Sequence, residues 1–68
     1  MKGQTDMEDQ MIQETIRKAV KFSKEVGHCY ILTNGQELKT AFRFAVPAYK
    51  EQGFWVAAIY EHGHPVEA

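Results

Sequence analysis

Leu38-Lys39-Thr40-Ala41-Phe42-Arg43-Phe44-Ala45-Val46-Pro47 is the stretch on which the fold turns, because it satisfies two periods at once. In a strand, alternate side chains face opposite sides. That period puts Leu38, Thr40, Phe42, Phe44 and Val46 inward, with Lys39, Ala41, Arg43 and Ala45 outward. In a helix, Leu38, Phe42, Ala45 and Tyr49 share one face, Asn34 and Glu37 supply a start signal, and Pro47 ends the helix near Val46. The strand reading is preferred, because alternation holds at all five inward positions and Asn34-Gly35 just upstream is a hairpin signal. The helical alternative would place a second helix against the sheet.

Working back toward the N-terminus, Thr5 followed by Glu8 fits a capping box, in which each side chain satisfies a free N–H of the first turn. Winding residues 6–26 at about 100° per residue gathers Met11, Ile12, Thr15, Ile16, Ala19, Val20, Phe22 and Val26 into one stripe. Glu14, Arg17, Lys18, Lys21, Lys24 and Glu25 fall opposite. The late lysines suit the negative end of the helix dipole, and Gly27 suits a left-handed cap. An amphipathic helix over 6–26, after a flexible start at 1–5, follows. His28-Cys29-Tyr30-Ile31-Leu32-Thr33 then reads as the first strand.

Beyond Pro47, Lys50-Glu51-Gln52-Gly53 makes a turn into Phe54-Trp55-Val56-Ala57-Ala58-Ile59-Tyr60, a run that offers both sheet faces something apolar. Glu61-His62-Gly63-His64 is a second tight turn, and Pro65-Val66-Glu67-Ala68 the stub of a last strand. The expected fold is α+β: one N-terminal helix on an antiparallel meander of three or four strands over 28–66, in a single small domain spanning 1–68.

The composition bounds the function. At 68 residues a domain buries only about 60% of its unfolded surface, so association is a natural supplement to its core. One cysteine permits no internal disulfide, which suits a reducing cytoplasmic compartment. The polar N-terminus is no signal peptide, and the longest apolar run is far short of the roughly 20 residues of a membrane span.

No constellation carries a strong chemical signature. His62 and His64, with His28, Cys29 or Glu61, match no zinc spacing, and neighbours His28 and Cys29 would face opposite sides of a strand. Cys29 beside His28 is no nucleophile–base pair for the same reason. The glycines are too dispersed for a phosphate-cradling loop. Neither a cofactor nor a metal is expected, nor a small-molecule substrate, and the chain reads as a non-enzymatic protein.

Its surface is more informative. Residues 1–16 carry Lys2 against Asp6, Glu8, Asp9 and Glu14, a net −3. Residues 17–50 carry Arg17, Lys18, Lys21, Lys24, Lys39, Arg43 and Lys50 against Glu25 and Glu37, a net +5. With one helix to cover one face, the other sheet face is expected to display Ala41 with either Trp55, Ala57 and Ile59 or Phe54, Val56, Ala58 and Tyr60, rimmed by Lys39 and Arg43; Trp55, Ala57 and Ile59 are the preferred contact set. Aromatic plus arginine composition is typical of interface anchors. The expected function is therefore a protein-binding regulator, adaptor or inhibitor, of the kind that phages and mobile elements encode, with a foreign protein or a second copy as partner. The alternative is a nucleic-acid-binding domain using Arg17, Lys18, Lys21 and Lys24 on the helix, or the basic and aromatic side chains of the sheet.

Overall fold

The computed structural model describes the backbone of residues 2–66 and the side chains of residues 11–66. Helix α1 (Lys2–Val26) leads through Gly27 into β1 (His28–Thr33), followed by β2 (Leu38–Ala41). A 3-10 turn (Arg43–Ala45) runs into helix α2 (Val46–Glu51), and β3 (Trp55–Glu61) and β4 (His64–Val66) complete the chain. The class is α+β, with α1 packed on a four-stranded antiparallel sheet. Helix α1 begins at Lys2 rather than residue 6, which corrects the flexible start expected over residues 2–5, while the side chains of the Thr5–Glu8 cap lie outside the described residues.

The strand order is β2-β1-β3-β4, which corrects the expected meander. Both β2 and β3 run antiparallel to β1, so they run parallel to each other on either side of it. Parallel strands need a crossover rather than a hairpin, and α2 supplies it. Each reading of 38–47 is therefore correct for part of the segment. Leu38 to Ala41 alternates as a strand, and Phe42 is still extended at φ −96°, ψ 170°, before the chain coils at Arg43. Pro47 begins a helix instead of ending one: in the first turn of α2 its missing N–H forfeits no bond and its fixed φ is already helical.

The crossover gives the sheet a core on each face. Toward α1, Cys29, Ile31 and Tyr60 close on Ala19, with Ile16, Val20, Phe22, Leu38, Phe42 and Ala58 around them. Toward α2, Leu32, Ala41, Val46 and Phe54 are buried together, with Tyr30, Tyr49 and Val56 packed against them. A bulge in β3 allows this division. Ile31 pairs with Ala58 but Leu32 with Val56, so Ala57 is the extra residue. Phe54 and Val56 consequently face α2, while Ala58 and Tyr60 face α1.

Turn chemistry fixes the ends. The Asn34-Gly35 signal opens a four-residue loop, in which Asn34 Oδ1 accepts the N–H groups of Gln36 at 2.9 Å and Glu37 at 2.8 Å. At the close of α1, Gly27 at φ 111° donates to Ser23 O at 2.8 Å. Between β3 and β4, His62 at φ 53° and Gly63 at φ 87° are the two positive-φ residues of a type I′ hairpin.

Candidate interaction surface

The six residues expected to share one face lie in different places. Trp55 pairs with Thr33 and Ile59 with Tyr30, an odd offset along β1, so the two side chains face opposite sides of the sheet. Strict alternation would have kept them together; the bulge at Ala57 separates them, and Ala57 itself is exposed at the irregularity. Ala41 is buried under α2 rather than displayed. Lys39 is exposed, with Nζ 3.5 Å from Glu37 Oε1. Arg43 is exposed in the 3-10 turn, where its backbone N–H donates to His28 Nε2 at 3.1 Å. The outward face expected for β2 is thus mostly occupied by the crossover.

Exposed apolar surface collects instead at the far end of α1. A 25-residue helix is about 37 Å long, whereas a six-residue strand spans about 20 Å, so α1 outruns the sheet beneath it. The stripe is covered at Ile16, Ala19 and Val20 but open at Met11 (51% exposed) and Ile12 (46%). These two, with Leu38 and the Thr33–Gln36 loop, line a groove of about 310 Å³. The Trp55 indole is 53% exposed and sits at the same rim, its Cη2 3.7 Å from where a Cβ on Gly35 would lie. Sequence reasoning had each of these side chains but not their meeting. Comparing the lengths of helix and strand would have found it.

The basic residues are where the helical wheel put them. Arg17, Lys18, Lys21 and Lys24 are all exposed, and among the described residues the one ion pair is Lys39 with Glu37. The Lys24 side chain lies across the Gly63 turn.

The histidines do not converge. His28 Nε2 accepts the Arg43 N–H at 3.1 Å, and the ring packs edge-on against Tyr30 and Phe42. His62 lies in the hairpin turn and His64 on the outermost strand. Among the described residues no three His, Cys, Asp or Glu side chains come together in a manner that could hold a metal ion, and no helix is long and apolar enough to cross a membrane.

Cys29 is fully buried on the α1 side of the sheet. Burial pushes its thiol above the ordinary value of 9.0, with the Ala41 and Tyr30 backbone contributing smaller opposing effects. The unfolded chain therefore loses this proton at lower pH than the native protein does. The thiol's contribution to stability is complete below pH 9 and declines as pH rises through the native value. Urea midpoints measured from pH 8 upward should fall more steeply for the wild type than for Cys29→Ala. Parallel curves would refute a raised native value.

Comparison with protein-family models, with curated proteins and with solved structures finds no match to this chain.

Proposed function

We propose that this is a non-enzymatic protein-binding module, a regulator, adaptor or inhibitor, that engages its partner at the open end of α1. The observation that carries the reading is a groove lined by the half-exposed Met11 and Ile12, with the half-exposed Trp55 ring beside Gly35 at its margin. A small chain gains nothing internally from leaving these groups in water, and contiguous patches of this kind mark contact surfaces. Trp55 has the character of an anchor, since tryptophan is enriched among residues that dominate interface energetics. The nearby Glu37–Lys39 pair offsets its own charge, which keeps this side of the rim near neutral.

The test compares faces. A tagged chain is expressed in its native cells, and the complex or dimer it forms is reconstituted from purified components. Trp55→Glu and Ile12→Glu should each weaken assembly at least about 30-fold, the scale of a hot-spot residue, with the helical circular dichroism signal intact. Ile59→Glu, on the opposite sheet face, should leave assembly unchanged. If Ile59 matters and Trp55 does not, the surface is misplaced.

One observation favours a second reading, nucleic-acid binding by the outer face of α1: four exposed cations over residues 17–24 have no carboxylate partner among the described residues. In that case, replacing Lys18, Lys21 and Lys24 by Gln would weaken binding to a single-stranded oligonucleotide and flatten its salt dependence.

A further inference from the structure

The corner at which β2 ends is a half-open pocket, and its shape follows from the topology. Strand β2 stops at Ala41, opposite Tyr30, so Cys29 has no paired strand residue on that side. The chain then leaves through Phe42 to cross the other face of the sheet. A space of about 240 Å³ remains between α1, the sheet and α2, walled by Phe22, Phe42 and Tyr49, with Ala45 at its side, Thr40 at its edge and Cys29 on its floor.

We propose that this pocket binds a small, uncharged, planar aromatic molecule of one ring or two fused rings, carrying a single hydrogen-bonding group. Size sets the first limit. A cavity of roughly 150 Å³ holds benzene, and drug-sized ligands take about 300 Å³ or more, so 240 Å³ suits a ligand between them. The walls set the second. Phe22 and Phe42 meet edge-on with centroids 6.0 Å apart, and Tyr49 is held edge-on against Phe54 at 5.3 Å. Phe42 is backed in turn by the His28 ring at 5.9 Å. Phe42 and Tyr49, each braced by a ring behind it, and Phe22, held against Phe42, form a preorganised receptor for a further ring, because little side-chain freedom remains to be lost on binding.

Polarity sets the third limit. No ionised side chain lines the pocket, so a charged ligand would be desolvated without a partner. The Thr40 hydroxyl has no hydrogen-bond partner among the described residues and is available to one polar group of the ligand. The Cys29 thiol already faces Tyr30 O at 3.8 Å. A water in the same place would have few partners besides the Thr40 and Tyr49 hydroxyls, and a weakly held water is readily displaced by an apolar ring.

The probe is indole, titrated into the full chain while amide chemical shifts are recorded. Binding with a Kd on the order of 0.1–1 mM is expected for a ligand of this size, with shifts centred on Thr40, Phe42, Ala45 and Tyr49. Ala45→Leu extends a side chain into the pocket and should weaken binding at least about tenfold. Ala57→Leu, on the exposed bulge, should not. If Ala45→Leu fails to fold, Thr40→Val serves instead: it keeps the shape, removes the hydroxyl, and should weaken indole binding several-fold. No saturable shift up to about 10 mM, a shift pattern centred on Trp55, or unchanged affinity in the folded variant would each overturn the proposal.

Discussion

Replacing Leu32 by alanine should remove a large part of this protein's stability. Leu32 has no solvent exposure and is the largest fully buried side chain, enclosed by Ala41, Val46 and Phe54 on the α2 side of the sheet. Deleting three buried carbons costs their transfer energy plus the cavity left behind, about 2–5 kcal/mol for Leu→Ala. A chain of 68 residues has roughly 3–10 kcal/mol of stability in total. Urea unfolding should therefore show a midpoint lowered by about a fifth or more. Leu32→Met, which conserves volume, should cost under about 1.5 kcal/mol. Phe44 provides the contrast: it is 88% exposed in the 3-10 turn, and Phe44→Ala should change stability by no more than about 0.5 kcal/mol. A Leu32→Ala cost below about 1 kcal/mol would mean that α2 does not pack on the sheet as described.

The contrast between Leu32 and Phe44 shows where the sequence was legible. Signals with a single physical reading were reliable. The apolar stripe of α1 could only be a helix facing a core, and Gly27, Gly35, Gly53 and Gly63 all stand at positive φ at the boundaries expected for them. The segment from Leu38 to Pro47 misled because two periods overlap in it, and because proline opposes a helix from inside yet favours one from its first turn. Reading it as one long strand placed Phe44 inside and Ala41 outside, the reverse of what is found.

Trp55 and Ile59 part for a narrower reason. Strict alternation along 54–60 puts them on one face, and one extra residue in the pairing reverses every later position. Nothing in Val56-Ala57-Ala58 marks a bulge; there is no glycine or proline to suggest it. Its advantage emerges only with both helices in place. Phe54 and Val56 pack against α2 and Ala58 and Tyr60 against α1, and because all four positions share one parity, only a register shift can put the two pairs on opposite faces. Trp55 is the residue left out of either core by that compromise, and it carries the proposed contact.

The joint between α1 and the β3–β4 hairpin is the second place where a small change should have a large effect. Ser23 is fully buried, and its hydroxyl serves two backbone groups: it donates to Val20 O at 2.9 Å and accepts the Gly63 N–H at 2.8 Å. The second bond spans 40 positions of sequence and fastens a turn whose last strand is otherwise three exposed residues. Ser23→Ala strands the Gly63 N–H, a loss of about 1–3 kcal/mol, against which the better helix propensity of alanine returns only about 0.5 kcal/mol. The net effect is destabilising. Ser23→Val adds crowding at a site with no free volume, for a further 1–3 kcal/mol or so. Hydrogen exchange distinguishes this from a general loss of packing. In Ser23→Ala the Gly63 amide and the amides of β4 should lose protection well before those of β1, because the hairpin opens locally. Ser23→Thr, which keeps the hydroxyl, should retain most of the protection at Gly63. Uniform loss of protection across the sheet, or none at Gly63, would show that the hydroxyl does not hold the turn.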